Sequence, residues 1–254
     1  MDAPKIRGGI EIENLHVARR FIAAHHYASK CPPHCLECLG QRDSQGDLQC
    51  LAVWGWGVRP RHTIEKIFPS LGTQDYRELC RLCCQDEMPR NSESHLLGLC
   101  ADWYKKNMPG VKVLLSWADG MRGKPGYVYQ SANWLYAGYI ETEFYVNASG
   151  ETLHPRFLIT QYGTRANKTL SALGLRKLKG RQFLYLKFLC SHAERKALLR
   201  ECQKPLSTAY PKSDDCLVYW AEEGSRVTHQ SSTLRSAVRF RNSASQPSLF
   251  GDGT

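Results

Sequence analysis

Residues 114–138 restrict the fold of this chain more than any other stretch. They begin inside an apolar run, residues 111–117, whose length and composition are typical of a β-strand, and the run stops at the turn dipeptide Asp119-Gly120. After a loop that contains Gly and Pro, residues 127–139 place aromatic side chains at helical spacing, with Gly138 as a helix stop. A strand that ends in a carboxylate and leads into a loop and a helix is a common ligand site in α/β sheets. An ordinary strand–turn–helix with a surface Asp and core aromatics explains the same residues equally well.

The charge of the chain favours a polyanionic partner. Its 254 residues carry a net charge of +10, and residues 161–204 contain eleven Lys and Arg against two Glu. Nucleic acid is the commonest partner for such a surface. We therefore expect Lys177, Lys179 and Arg181 to contact DNA, with a merely solvated basic surface as the alternative.

The N-terminus has no apolar signal core, and no run approaches the length of a membrane span. Eleven cysteines without an export signal favour reduced thiols in a cytoplasmic protein over a disulfide framework. We expect no membrane association.

Cys31, Cys35 and Cys38 have a CxxxCxxC spacing. Three thiolates at this spacing can hold a cubane iron–sulfur cluster, and with His34 or Cys50 they could form a zinc site. We favour a third interpretation, a redox-inert surface loop, because the region through residue 47 resembles an insertion.

Hydrophobic periodicity predicts the remaining elements. We expect helices at residues 13–27, 91–106 and 191–202, strands at 48–58, 76–84 and 181–189, a hairpin at 143–156, and a basic helix or loop at 167–179.

Arg81 lies between Leu and Cys on the strand at 76–84, where burial is costly unless a carboxylate or a phosphate meets it. Arg90 and Asn91 precede the next helix, whose free N–H groups would form an anion site. Ordinary capping by Asn91 or Ser92 explains that helix start as well. His26, at the end of the first helix, suits acid–base chemistry or metal binding, or is simply solvated.

The element order resembles the GNAT acyltransferases, in which a helix near the end of the core carries a Tyr shortly before a Gly-aromatic pair, as Tyr136, Gly138 and Tyr139 do here. The resemblance implies an α/β fold with a mixed, mostly antiparallel central sheet flanked by helices. We expect a single catalytic domain over residues 1–227, with a basic C-terminal part, and a flexible tail over 228–254. The R/Q-x-x-G-x-G/A pyrophosphate loop of acetyl-CoA users is absent between Cys84 and Leu97, which leaves the acyl donor open.

Five motifs within residues 15–156 resemble the Mom family of phage DNA-modification proteins. They are His26-Tyr27, Glu78-Leu-Cys-Arg81-Leu, Arg90-Asn-Ser-Glu-Ser94, Ser116-Trp-Ala-Asp119, and Gly126-Tyr-Val-Tyr-Gln130 with Asn133. The resemblance implies conversion of adenine in DNA to its N6-carbamoylmethyl derivative, which protects phage DNA from restriction in the host cytoplasm. Iron is associated with this family, although the sequence shows no unambiguous ligand set.

These motifs supply a candidate site. The catalytic candidates are Asp119, Tyr129, Tyr127, His26, Tyr27 and Ser94, and the candidates for binding a phosphate of the donor or of DNA are Arg81, Arg90 and Asn91. An Asp at a strand end can accept a proton from the adenine amine, and tyrosines can stack the base or donate to an oxyanion. Acetyl-CoA and glycyl-tRNA both remain open as donors, so tRNA is a second expected partner.

Two other functions fit the same sequence: a catalytically inactive, basic nucleic-acid-binding protein, and an N-acetyltransferase of proteins or small amines. The tail adds a further expectation. Gln246, Leu249 and Phe250 match the Q-x-x-L-F peptide that docks onto bacterial sliding clamps, although a tail without function explains them equally well.

Overall fold

The computed structural model describes residues 9–28, 30–153, 155–164, 166–221 and 230–231. The helices are α1 (Leu15–His25), α2 (Pro60–Glu65), α3 (Ser92–Asn107), α4 (Tyr127–Ser131), α5 (Pro155–Tyr162), α6 (Asn167–Ala172) and α7 (His192–Glu201). The strands are β1 (Glu11–Ile12), β2 (Cys35–Arg42), β3 (Leu48–Gly55), β4 (Tyr76–Cys84), β5 (Val113–Asp119), β6 (Leu135–Val146), β7 (Thr152–Leu153), β8 (Arg176–Phe188), β9 (Val218–Ala221) and β10 (Gln230–Ser231).

The chain divides into two compact units. The first contains the described residues up to Trp117, together with Tyr127–Gly138 and Leu184–Ala209. The second contains Ala118–Gly126, Tyr139–Phe183 and the described residues from Tyr210 onward. The expected domain boundary at residues 227 and 228 lies outside the described residues.

The sheet of the first unit begins with the order β1-β2-β3-β4-β5 and continues to the carboxyl-terminal half of β8 and the amino-terminal half of β6. The pairings β1–β2, β2–β3 and β3–β4 are antiparallel, whereas β4–β5 is parallel, with α3 as its crossover. In the second unit, β8 lies between β9 and β6, and β7 pairs with β6. The expected mixed, mostly antiparallel sheet with helices is confirmed.

The parallel pairing of β4 with β5 is short. Its register runs from Tyr76 opposite Val113 to Leu79 opposite Ser116, although β4 continues to Cys84. Residues of α2, α7 and the paired strands pack together in one buried apolar cluster, which includes Phe68, Leu115 and Leu198. The end of the pairing therefore lies beside a rigid core.

The strand at 76–84 is confirmed to the residue, and the helix expected at 13–27 is α1, with Asn14 accepting a hydrogen bond from the backbone N–H of His16. The helix expected at 191–202 is α7, which begins with a capping box between Ser191 and Glu194. Gly150 turns the expected hairpin with a positive φ of 83°.

Three expectations were wrong. Residues 31–47 are not a loop insertion, because β2 runs through them between β1 and β3 and buries Leu39. Residues 127–139 are helical only in α4, because Asn133 adopts a left-handed backbone (φ 56°) and β6 begins two residues later. The helix or loop expected at 167–179 is present up to residue 175, including α6, but the expectation was wrong from Arg176, where β8 begins and pairs with β9.

The expectation of wholly reduced cysteines also needs correction. Cys50 on β3 and Cys84 on β4 face each other in the strand register and form a disulfide, while the other nine cysteines are free thiols. Within the described part of the chain, no helix is both long enough and apolar enough to cross a bilayer.

Candidate active site

A pair of hydroxyl groups lies where the β4–β5 pairing ends. Tyr129 on α4 is 8% exposed, and its hydroxyl accepts a hydrogen bond from Ser116 at 2.8 Å. Ser116 Oγ also lies 3.4 Å from the carbonyl oxygen of Leu79 on β4. Burial raises the pKa of Tyr129 to about 12, with the nearby Tyr27 hydroxyl acting in the same direction. Tyr129 is therefore a protonated hydrogen-bond donor at neutral pH.

Aromatic rings hold Tyr129 in place. Its centroid lies 5.1 Å from Tyr185 on β8 and 5.4 Å from Trp134, which is 1% exposed. Gln130, next to Tyr129, donates a hydrogen bond of 3.0 Å to the hydroxyl of Tyr185. This packing restricts the Tyr129 rotamer, as an acid–base or oxyanion-binding group requires.

His26 and Tyr27 follow α1 in the same unit as Tyr129. Their rings stack with centroids 4.3 Å apart, and His26 Nδ1 accepts a 3.0 Å hydrogen bond from the backbone N–H of Ala28. Tyr27 is 55% exposed. Since Tyr27 also influences the pKa of Tyr129, the structure brings these two expected site residues into electrostatic range.

Asp119 is the last residue of β5 and belongs to the second unit. Its Oδ2 lies 3.4 Å from Nε of Arg122, and its Oδ1 is buried without a hydrogen-bond partner among the described residues. Burial raises the pKa of Asp119, while Arg122, Lys124 and hydrogen bonds from the backbone N–H groups of Met121 and Arg122 oppose the shift. An oxygen that is buried and unpaired is suited to accept a hydrogen bond from a substrate.

A second half-buried carboxyl, Glu78 on β4, was not among the expected site residues. Burial alone raises its pKa to about 7. Glu78 belongs to the motif Glu78-Leu-Cys-Arg81, which the sequence analysis singled out. Nothing in the neighbouring sequence, however, distinguishes this Glu from a solvated one.

The expected phosphate-binding residues surround the end of β4 and the start of α3. Arg81 donates to the backbone carbonyls of Lys30 (3.1 Å) and Cys80 (2.6 Å). Arg90 is exposed, and Asn91 has a left-handed backbone (φ 72°) without capping the helix through its side chain. Ser94 donates to the carbonyl of Asn91. Asn91 capping, the alternative explanation, is therefore not observed.

The arginine of β4 that does form a buried ion pair is Arg77, which sequence reasoning missed. Its Nε lies 3.1 Å from both carboxylate oxygens of Glu37, and Tyr104 on α3 donates to the same carboxylate at 3.0 Å. Arg77 is 4% exposed. The partner is 40 residues away in the chain, so no local pattern could reveal the pair.

The expected DNA-binding residues share one face of β8. Lys177 Nζ lies 2.9 Å from Glu143, the guanidinium of Arg181 lies 4.4 Å from the ring centroid of Tyr139, and Lys179 faces Tyr219 in the strand register. Part of the basic charge is thus compensated. The clamp-binding residues Gln246, Leu249 and Phe250 lie outside the described residues.

Cys31 and Cys35 are partly exposed, and both pack against the buried cluster that contains Cys38 and Cys83. Across the described chain, no three His, Cys, Asp or Glu side chains are arranged to hold a metal ion. The residues that the structure describes do not fit the iron that the family resemblance implies.

The model of the Mom protein family matches residues 10–212. Methylcarbamoylase Mom of Escherichia phage Mu is 29% identical over 197 residues, which span 74% of this chain and 78% of the relative.

Solved structures give a more distant likeness. A Bacillus subtilis acetyltransferase in complex with CoA has a TM-score of 0.40 at 11% identity, covering 72% of this chain and 99% of its own. The spermidine/spermine N-acetyltransferase SpeG of Vibrio cholerae has a TM-score of 0.42 at 9% identity, covering 75% and 96%. Because both TM-scores are below 0.5, the description of the fold is based on the strand order and register alone.

Proposed function

This chain belongs to the Mom protein family, and we propose that it is a transferase that converts adenine in DNA to N6-carbamoylmethyladenine and so protects phage DNA from host restriction. The observation that carries the proposal is the 197-residue match to the Mu methylcarbamoylase, which extends over 78% of that enzyme. The enzyme would act on DNA in the cytoplasm of the host cell.

The reaction must overcome the weak nucleophilicity of the adenine amine, whose lone pair is delocalised into the ring. The base has to be held still, desolvated and relieved of a proton as the new bond forms. The unpaired Oδ1 of Asp119 supports a role in binding the amine hydrogen or accepting the proton. A base within a duplex is out of reach, so the enzyme would flip it or act on single strands.

The tyrosines support complementary roles. Tyr129, protonated and fixed by Ser116 and Tyr185, would donate a hydrogen bond to the oxygen that gains charge during acyl transfer. Tyr27 and Tyr127 are 55% and 50% exposed, which supports a role for both in stacking on a base. His26 would orient Tyr27 through their stacked rings.

The donor is an activated acyl group, and we propose glycyl-tRNA over acetyl-CoA. A glycyl group on N6 is an isomer of carbamoylmethyl attached through the glycine nitrogen. If the free glycyl amine attacks C6 through a five-membered ring, the original N6 leaves C6 as the carboxamide nitrogen, and no atom is gained or lost. Ordinary acyl transfer would then suffice, with Arg81, Arg90, Asn91 and Ser94 near the donor phosphates.

The test is nucleoside mass spectrometry on DNA from cells that produce the protein, with Asp119→Asn as the inactive control. A deoxyadenosine heavier by one glycyl residue supports the function. Unmodified DNA would contradict it, and a nucleic-acid-binding protein or an N-acetyltransferase would then be the remaining explanations.

To identify the donor, purified protein is incubated with DNA and either labelled glycyl-tRNA or labelled acetyl-CoA. Label in the nucleoside from acetyl-CoA alone would overturn the glycyl route.

The sequence of the C-terminal tail supports a role in binding the protein to replicating DNA. Gln246, Leu249 and Phe250 would dock onto the sliding clamp of the host. A pull-down with purified clamp should retain the intact protein and lose a Leu249→Ala, Phe250→Ala variant. Equal retention of both proteins would contradict this role.

A further inference from the structure

One face of the second unit combines aromatic and basic side chains from three neighbouring strands. Lys179 of β8 lies opposite Tyr219 of β9 in the strand register, so their side chains share a face. The guanidinium of Arg181, two residues further along β8, lies over the ring of Tyr139 on β6, 4.4 Å from its centroid. We call the surface formed by Tyr139, Lys179, Arg181 and Tyr219 the aromatic–basic face.

The opposite face of the same strands packs on a core. Leu178, Val218 and Trp220 belong to one buried cluster, and none of them is more than 2% exposed. Because side chains alternate along a strand, the aromatic–basic face points away from that cluster. Tyr139 is 48% exposed, and the other three members are partly exposed. A large ligand can therefore reach this face.

The positive charge of the aromatic–basic face is only partly compensated. Glu143 pairs with Lys177 at its border. Lys179 and Arg181 form no ion pair with another described residue, and the one hydrogen bond of Arg181 goes to the backbone carbonyl of Asp215, at 3.5 Å. Both cations can therefore contact phosphates.

A basic surface with aromatic rings selects a different form of DNA from a surface that is only basic. Paired DNA carries one phosphate per about 1.7 Å of helix axis, so charge alone favours the duplex over a single strand. The bases of a duplex are stacked on each other and cannot stack on a side chain. An unpaired base can stack on an aromatic ring, and an arginine beside the ring strengthens the attraction. The combination of Tyr139 with Arg181 thus suits DNA that contains unpaired bases.

The polar groups at the border of the face favour DNA over RNA. Proteins that select RNA commonly hydrogen-bond the ribose 2′-hydroxyl. The two carboxylates that could accept such a bond are engaged within the protein, Glu141 by the hydroxyl of Tyr219 and Glu143 by Lys177.

The aromatic–basic face adjoins the segment that carries Asp119. Gly120 follows Asp119, and a Cβ atom at Gly120 would lie 2.6 Å from the carbonyl oxygen of Arg181. Only glycine permits this close approach of the two backbones. Both segments belong to the second unit. A DNA strand bound at Arg181 is therefore held near the carboxylate that we propose to bind adenine.

We propose that the aromatic–basic face binds DNA with unpaired bases, with one base stacked on Tyr139 and phosphates at Lys179 and Arg181. This inference deepens the proposed function and rests on it for the role of the bound DNA. A strand opened for modification is held on this face, which offsets part of the cost of unpairing the target base.

The experiment measures dissociation constants of the full-length protein, without a donor, by fluorescence anisotropy at one salt concentration. Four probes of one sequence are compared: a DNA strand, its paired duplex, the duplex with a central unpaired bubble, and the RNA strand. The single strand and the bubble should bind more tightly than the paired duplex by about fivefold or more, the smallest gain expected from one stacked base. Tyr139→Leu should abolish this preference without changing the affinity for the paired duplex, whereas Tyr139→Phe, which keeps the ring, should retain it.

The matched control is Tyr162→Leu, the same change at another exposed tyrosine of the second unit. It should retain the wild-type preference. If Tyr139→Leu does not fold, Arg181→Lys serves as the second variant, because it keeps the charge but removes the planar guanidinium from the ring of Tyr139. It should reduce the preference and leave the salt dependence unchanged.

A wild-type protein that binds the paired duplex as tightly as the single strand overturns the inference. A folded Tyr139→Leu protein that keeps the preference also overturns it. Tighter binding of the RNA strand than of any DNA probe overturns it in favour of an RNA partner. Protein that shows the expected preference but modifies no adenine contradicts the proposed function and leaves the binding of unpaired DNA supported.

Discussion

The hydroxyl of Ser116 donates a 2.8 Å hydrogen bond to the hydroxyl of Tyr129, at the last residue pair of the only parallel strand pairing whose register the structure describes. Ser116 Oγ also lies 3.4 Å from the carbonyl oxygen of Leu79 on the neighbouring strand. The Tyr129 hydroxyl is therefore held in a buried position against the paired strands β4 and β5.

Removal of the Tyr129 hydroxyl should impair turnover. Tyr129→Phe should lower kcat by about 10²–10³-fold if the hydroxyl binds the oxyanion, with little change in the binding of DNA. Ser116→Ala should have a smaller effect, because the phenol remains. Tyr162→Phe removes a phenol hydroxyl from an exposed helix and should match the wild type. A full-rate Tyr129→Phe enzyme would reduce Tyr129 to a packing role.

The two arginines of β4 should respond oppositely to substitution. Arg77→Ala leaves the Glu37 carboxylate buried without its cation and should lower the free energy of unfolding by about 3–5 kcal/mol. Arg81→Ala removes hydrogen bonds to two backbone carbonyls near the surface and should cost about 1 kcal/mol, but it should raise KM for the donor. Urea unfolding and donor titration measure the two effects. Equal stability losses with unchanged KM would contradict a donor role for Arg81.

Glu78 should make stability depend on pH. Its folded pKa of about 7 lies above the ordinary value of 4.5, so the folded state binds the proton more tightly than the unfolded state. The free energy of unfolding should therefore fall as pH rises from 4.5 through 7, by up to about 3 kcal/mol. Glu78→Gln should remove this decline and be the more stable protein above pH 7. Parallel stability curves for wild type and variant would contradict a raised pKa of the half-buried Glu78 carboxyl.

The basic face of β8 should contribute unequally to DNA binding. Lys179→Ala and Arg181→Ala should each reduce the slope of log affinity against log salt by about 1. Lys177→Ala should reduce it less, because Glu143 already compensates Lys177 at 2.9 Å. Lys106→Ala, an exposed substitution on α3, is the control. An unchanged slope in all three variants would mean that this face is only solvated.

The sequence correctly predicted those strands and helices in which the hydrophobic periodicity matches the pattern of buried residues. The alternation in residues 76–84 was sufficient to define β4. It could not show the register shift against β3 that falls between Leu79 and Arg81. It also could not show that Arg77 meets Glu37 of β2, because that contact depends on β3 lying between the two strands. Burial of a charged side chain is decided by such long-range neighbours.

The candidate site shows the same limit. Tyr129 and Asp119 can be recognised in the sequence, because they are an aromatic residue and a carboxylate close to one turn. Tyr185 can be recognised only in the structure, since it contacts Tyr129 through the pairing of β8 within the sheet. Periodicity failed at residues 132–139, since one left-handed residue, Asn133, ends a helix that the aromatic spacing would otherwise extend. Cys31, Cys35 and Cys38 were expected in a redox-inert surface loop, with a metal site as the alternative, but the pairing of β2 with two strands buries Cys38 in an apolar cluster.

The Cys50–Cys84 disulfide has a consequence for how the stability of this protein is measured. It joins residues 34 positions apart, and loop closure of that length removes chain entropy from the unfolded state worth about 4 kcal/mol. In a glutathione-buffered compartment such a bond is seldom retained, so this contribution is present or absent with the redox potential of the surroundings. Two preparations of the same sequence, one handled with a thiol reductant and one in air, would thus unfold at different denaturant concentrations without any difference in their folded contacts.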